Sequence, residues 1–303
     1  MTEQAIPATT PTTEDRIWSV LSHLSALAFG MGIVLPIVGW ADQRRKSNYS
    51  AFQNLQALGY QSLGFTIWIL SYLVIIVVAA IIGLITGQPE RGDSGQLVMI
   101  VFYAIMLGFL ALYFLLPIIA AVACALGKDF RYPWMGKRLA RYLAYDPAQN
   151  SEQPVWLDGD HELRWVTACG HFSVLIMLWG MLAPLTAWVL YGKRSLFMRF
   201  QSIQTLVYQA GVTVLYFIGG ALYMVGLLVL VLSLASNSPS PQIIPIVIAI
   251  VLLLPGSLVL LVIPLFHILG QWAGYRVLKG DNYHYPLVGR LVDKWMSKPS
   301  RSS

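Results

Sequence analysis

The sequence predicts an all-α integral membrane protein built from two tandem homologous repeats, each with three hydrophobic helical segments and interfacial amphipathic helices. The first observation is composition: 57% of the residues are hydrophobic and only 11% charged, outside the range of soluble globular domains. The second is that six stretches of 20 to 30 residues contain no Asp, Glu, Lys or Arg: 17–40, 62–86, 97–126, 172–191, 211–235 and 243–270. A helix rising about 1.5 Å per residue needs roughly 20 residues to cross the hydrocarbon layer, so each stretch is long enough. A membrane barrel would alternate apolar and polar residues in segments of about 10, whereas these stretches are apolar on every face.

The third observation is an internal repeat. FQNLQALGYQ at 52–61 returns as FQSIQTLVYQ at 200–209, a shift of 148 that also carries His23 and Ser25 onto His171 and Ser173. It carries Gly32, Pro36 and Trp40 onto Gly180, Pro184 and Trp188. Past the third apolar stretch the shift becomes 153, matching Tyr132, Pro133 and Gly136 with Tyr285, Pro286 and Gly289. Chance does not produce such a series, and duplication at this scale decides the fold.

The elements follow in order. Residues 1–13 are polar, rich in Thr and Pro, and acidic where a secretory signal would be basic, and read as a disordered tail. The first repeat covers 14–143: an apolar segment interrupted by Gly32 and Pro36, a basic loop, the glutamine-rich helix start, two further apolar helices and a basic Tyr-Pro tail. A polar linker at 144–160 leads to the second repeat at 161–295, and 296–303 is a basic tail. The tails KDFRYPWMGKRLARYL and YRVLKGDNYHYPLVGRL mix cations with Tyr and Trp, the composition of interfacial helices with snorkelling Lys and Arg.

These residues carry a resemblance. An early His, a Pro before Trp, a Gln-Ala-Leu-aromatic-Gln helix start and a Tyr-Pro tail resemble the prokaryotic membrane domain of unknown function grouped with the Tic-twenty-like family. The resemblance covers nearly the whole chain in two copies, although the family unit usually stands alone and Gln53 and Gln201 depart from a more variable position. It implies an integral membrane protein, distantly similar to a chloroplast inner-envelope import subunit, with no established activity.

Charge separates two topologies. If all six stretches cross, 11 of the 20 Lys and Arg fall on the N-terminal side and nine on the other; if the first stretch of each repeat dips in and returns, 19 share one side and only Arg91 is opposite. The positive-inside rule favours the second arrangement, with both termini cytoplasmic in the plasma membrane of a prokaryote. Gly32 with Pro36, and Gly180 with Pro184, supply the chemistry of a helix break. The alternative is a kinked full span, giving two inverted three-helix units.

On a helix Gln53, Gln56 and Tyr60 fall within about 60° of one another, as do Gln201, Gln204 and Tyr208. With Gln61 and Gln209 they form a candidate polar surface between the repeats. It reads either as interhelical hydrogen-bonding glue or as a polar vestibule for a passing molecule. His23 and His171 begin apolar stretches, and an imidazole there is either an interfacial cap or a titrating functional group.

Other chemistry is weaker. Cys124 and Cys169 are too few for a disulfide framework and read as small core residues. Asp158, Asp160, His161 and Glu162 match no metal-ligand spacing and read as a solvated linker ahead of a helix, so no metal and no cofactor is expected. Ser94 in GDSG and His267 in HILGQWAG resemble the dyad motifs of intramembrane serine proteases, but Asp93 puts a charge at the motif's centre and no oxyanion donors accompany it. The expected function is therefore non-enzymatic: a conduit related to transport or translocation, or a scaffold binding lipid or partner helices. The expected partners are the bilayer, anionic headgroups at the basic loops, and membrane proteins or further copies of the chain, with no nucleic acid.

Overall fold

A computed structural model describes residues 10–86, 93–146, 156–236 and 243–297. Most of the N-terminal tail, Arg91, most of the 144–160 linker and the end of the basic tail lie outside the described residues. The described chain is all helical: α1 (Thr13–Leu24), a 3₁₀ segment (Ser25–Ile33), α2 (Val34–Gln43), α3 (Asn48–Thr86), α4 (Asp93–Ala125) and α5 (Gly136–Tyr142). The second repeat gives α6 (Gly159–Phe172), a 3₁₀ segment (Ser173–Met181), α7 (Leu182–Tyr191), α8 (Leu196–Ala235), α9 (Ile243–Leu278) and α10 (Val288–Met296).

The first apolar segment of each repeat is a hairpin. Thr12 caps α1 with a capping box, its hydroxyl accepting from Asp15 N at 3.2 Å while Asp15 Oδ2 accepts from Thr12 N at 2.8 Å. The helix breaks at Phe29 (φ 54°, ψ −142°), and the second copy breaks 148 residues later at Met177 (φ 51°, ψ −128°). Positive φ at such residues costs about 1–3 kcal/mol and persists only where the surroundings over-determine it. Gly32 and Gly180 are part of that constraint, since a Cβ would meet Ser25 O at 1.8 Å and Ser173 O at 2.0 Å. The prolines act differently from expectation. Pro36 and Pro184 sit in the first turn of the return legs α2 and α7, where a missing N–H costs nothing, so they start the new helix rather than break the old one.

The hairpins close at their bases. Gln43 Nε2 at the end of α2 donates to Glu14 Oε1 at the start of α1 at 2.9 Å. Arg44 touches both ends of the second hairpin, bonding Glu162 in α6 and lying over Tyr191 at the end of α7. Among the described residues, five segments are long and apolar enough to cross a membrane: Thr13–Gln43, Ile100–Ala125, Gly159–Tyr191, Leu196–Ala235 and Ile243–Leu278. The first and third of these are the hairpins, which fold back toward their starting level.

The long helices divide into two layers. At 1.5 Å per residue the 40 residues of α8 extend about 60 Å, twice the roughly 30 Å of hydrocarbon. The first part of α3, from Ser50 to Ser62, is buried without interruption, enclosed by the hairpins and the Tyr-Pro loops. Beyond it the helices carry exposed apolar side chains such as Leu70, Val74 and Leu107 in the first repeat and Phe217 and Leu261 in the second. An apolar surface of that extent is stable against lipid, not water. Tyr49 at the start of α3 donates to Lys128 O after α4 at 3.0 Å, so the packed layer and the basic loops share one end of the bundle. There α10 packs Val292 and Met296 against Phe200 and Ile203 and leaves Leu291 and Trp295 outward.

Candidate functional site, a duplicated histidine, glutamine and tyrosine network

Each repeat folds its glutamine-rich helix start around its own Tyr-Pro loop. Gln53 Nε2 donates to Asp129 Oδ1 and to Phe130 O, both at 3.0 Å. That commits the amide nitrogen to the loop and turns Oε1 toward His23 Nε2 at 3.1 Å and Gln56 Nε2 at 3.1 Å. Since Gln53 Oε1 can only accept, His23 carries its proton on Nε2, and Nδ1 accepts from the Tyr132 hydroxyl at 3.1 Å. Gln56 completes the clamp: Nε2 donates to Phe130 O at 2.9 Å and Oε1 accepts from Tyr132 N at 2.8 Å.

The second repeat reproduces these contacts with Asn282 in place of Asp129, and adds the Thr205 hydroxyl 3.0 Å from His171 Nδ1 where the first repeat has Ala57. Gln201 Nε2 donates to Asn282 Oδ1 at 2.7 Å and Tyr283 O at 3.0 Å, and its Oε1 faces His171 Nε2 at 3.1 Å and Gln204 Nε2 at 2.5 Å. His171 Nδ1 lies 3.0 Å from the Tyr285 hydroxyl, and Tyr285 N donates to Gln204 Oε1 at 3.3 Å. Tyr60 stacks on Tyr132 at 4.2 Å between ring centroids and Tyr208 on Tyr285 at 3.9 Å. The hydroxyls of Tyr60 and Tyr208 donate to the equivalent carbonyls Tyr113 O and Phe266 O. Gln61 and Gln209 tie the hairpins in, donating to Ser22 O and Gly170 O respectively.

His23 and His171 are fully buried, and burial pushes the phenols of Tyr132 and Tyr285 well above their ordinary value, so both stay neutral donors. The hydrogen bonds of the eight expected surface residues all run inside their own repeat. The network is thus two internal cores, not the surface between repeats that the helical stripe suggested. The reason is that the Tyr-Pro loop, distant in sequence, folds back over the stripe and takes up its amides.

The contact between repeats uses other residues. Arg44 NH2 meets Glu162 Oε2 at 2.6 Å with both side chains buried, and the guanidinium lies 4.8 Å from the Trp40 ring and 4.7 Å from the Tyr191 ring. Trp40 Nε1 donates to the other carboxylate oxygen of Glu162 at 3.2 Å. Glu162 is therefore not part of a solvated linker; only its neighbours are, with Asp158 capping α6 through Asp160 N and His161 N. Trp165 Nε1 donates to Leu55 O at 2.9 Å and its indole fills the space that Gly59 leaves. Sequence reasoning singled out Trp40 only as a repeated residue and missed Arg44 and Trp165, which the duplication itself hides: Arg44 is matched by Gly192 and Trp165 by Ile17.

The protease dyad does not form. Ser94 is the second residue of α4, about 46 Å from that helix's C-terminus, whereas His267 is about 16 Å from the C-terminus of α9. Both C-termini lie at the basic end, which leaves roughly 30 Å between the two residues along the bundle. His267 instead packs edge-on against Tyr216. Cys124 and Cys169 are buried free thiols, and no group of three or more His, Cys, Asp or Glu among the described residues is placed to hold a metal ion.

The family model described as the magnetosome magnetite crystal formation protein family matches the chain twice, over residues 14–139 and 162–292. The chain belongs to this family. The match corrects the Tic-twenty-like resemblance and removes the kinship with a chloroplast import subunit that it implied. The misleading residues were the aromatics, cations and glutamines of the interfacial layer, which in the magnetosome family chain serve to hold the Tyr-Pro loop against its helix. Neither a curated protein nor a solved structure matches the chain.

Proposed function

We propose that the protein is a non-catalytic scaffold of the magnetosome membrane that supports magnetite crystal formation. Family membership supports the setting. The observation that carries the scaffold reading is that the duplicated Gln, His and Tyr side chains are buried and direct the hydrogen bonds they make into their own repeat, leaving among them only the enclosed Oε1 atoms of Gln61 and Gln209 without a partner. A conduit would instead present them to water. Four helices cross, the two hairpins return, and the basic end with both termini faces the cytoplasm, in line with the distribution of Lys and Arg. The outer rows of apolar side chains then meet lipid, and the packed layer offers a rigid platform for neighbours in the membrane.

The test is thiol accessibility in intact vesicles. Gln56→Cys and Gln204→Cys should resist aqueous reagents from both sides, while Lys46→Cys labels readily from one. Labelling of both buried positions in folded protein would contradict the scaffold and restore the conduit. In cells, loss of the gene should change magnetite crystal size or shape without abolishing the membrane compartment.

A further inference from the structure

The two hairpins are copies of one element, and their bases are charged differently. In the first, Lys46 Nζ meets Asp42 Oδ1 at 2.9 Å and Glu14 Oε1 at 3.7 Å, so the cation after the return leg finds carboxylates within its own hairpin. The shift of 148 carries Arg45 and Lys46 onto Lys193 and Arg194, but Asp42 onto Leu190 and Glu14 onto Glu162. Both acids are lost to the second base: Leu190 has no charge, and Glu162 is held inside the protein by Arg44 and Trp40. Lys193 and Arg194 are exposed, and neither forms an ion pair among the described residues. Arg194 lies over the Tyr191 ring, 5.7 Å from its centroid. The residues that precede the two cations are apolar and face outward. Val189 is 68% exposed and Leu190 40%, and Leu185 is exposed one turn deeper on the Val189 face of α7. Trp188, of the residue type that settles at the headgroup level, is exposed among them.

We propose that the base of the second hairpin binds an acidic phospholipid, its phosphate against Lys193 and Arg194 and an acyl chain along Val189 and Leu185. Charge complementarity selects the anion: two adjacent cations whose internal carboxylates are gone attract a phosphate, for which Lys and Arg are the usual donors. The apolar row selects a lipid as its source. It runs from the cations toward the hairpin turn, the path of a chain that descends from its headgroup, and neither a free phosphate nor an acidic peptide has a use for it. The position of the lost acid agrees, since Asp42 is replaced by an outward leucine and not by a neutral polar residue. The first base, which keeps its carboxylates, is a control within the same molecule. The proposal goes beyond the magnetosome role and the scaffold reading and is independent of both.

The experiment uses the full chain in phosphatidylcholine vesicles doped with phosphatidylglycerol that bears a diazirine near the carbonyl end of its acyl chain, followed by irradiation and peptide mapping. Label on residues 185–196 should exceed label on the equivalent 37–48 several-fold, and phosphatidylcholine bearing the same diazirine should label 185–196 several-fold less. Lys193→Gln with Arg194→Gln should remove the preference for the acidic lipid. Leu190→Asp, which returns to the second base the acid that the first one has, should remove it too with both cations in place, and it serves where the double variant fails to fold. Inorganic phosphate, matched to chloride in ionic strength, should lower the label no further than chloride does. Equal labelling by the two lipids, equal labelling of the two bases, a preference that survives in either folded variant, or competition specific to phosphate overturns the proposal.

Discussion

Glu14 Oε1 accepts a hydrogen bond of 2.9 Å from Gln43 Nε2, so residues 29 positions apart at the two ends of the first apolar segment touch. A straight helix over that span would hold them more than 40 Å apart at about 1.5 Å per residue. The contact turns a stretch that composition would allow to cross into one that returns, and the other observations on topology depend on it.

The turn that makes the return possible has no room for a side chain. Gly32→Ala and Gly180→Ala each place a methyl within 2.0 Å of a backbone carbonyl oxygen, and each should cost at least about 3 kcal/mol, read as loss of monodisperse protein in detergent. Gly108→Ala, with nothing within 4 Å, is the control, and its stability should change by no more than about 1 kcal/mol.

The buried pair between repeats predicts a sign pattern. Arg44→Ala or Glu162→Ala leaves one unpaired buried charge and should cost about 3–5 kcal/mol in denaturant titrations. Replacing both, as Arg44→Met with Glu162→Leu, should recover most of that loss, because the penalty belongs to the orphaned charge and not to the missing attraction.

The duplicated clamp predicts a loss in both copies, with the Thr205 hydroxyl still 3.3 Å from His171 Nε2 in the second. Gln53→Ala strands His23 and the Asp129 loop, Gln201→Ala strands His171 and the Asn282 loop, and each should cost about 1–3 kcal/mol. Calorimetry of the purified protein would compare them. A large loss in one copy and none in the other would show that the two networks are not equivalent supports.

Burial raises the hydroxyl pKa of Tyr132 and Tyr285 well above the ordinary value of 10.0. A raised folded-state value means the stabilisation is complete below the unfolded value and fades as pH climbs past it. Near-ultraviolet circular dichroism should therefore hold to about pH 10 and decline above it, and Tyr132→Phe with Tyr285→Phe should weaken that alkaline decline while lowering stability at neutral pH.

Much of this fold was legible in the sequence because its signals are local or periodic. Six charge-free stretches specify membrane helices, and the 148-residue shift specifies two copies. The break in the first segment was legible as Gly32 and Gly180, although the strained residues themselves, Phe29 and Met177, carry no signal, since only tertiary contacts hold them there. The glutamine stripe was legible as polar and placed on the wrong partner, because whether a buried amide faces a neighbouring helix or a loop 76 residues away is a long-range question. Arg44 was hidden by asymmetry: comparing repeats reveals what they share, and this contact exists only where they differ.

The most direct measurement places single cysteines at Thr13, Lys46, Lys128, Lys193 and Ser297 and at Arg91, and reads which face of oriented vesicles labels each. The account predicts that the first five label from one face and Arg91 from the other. Labelling of Thr13 and Lys46 from opposite faces would contradict it, since the first segment would then cross instead of return.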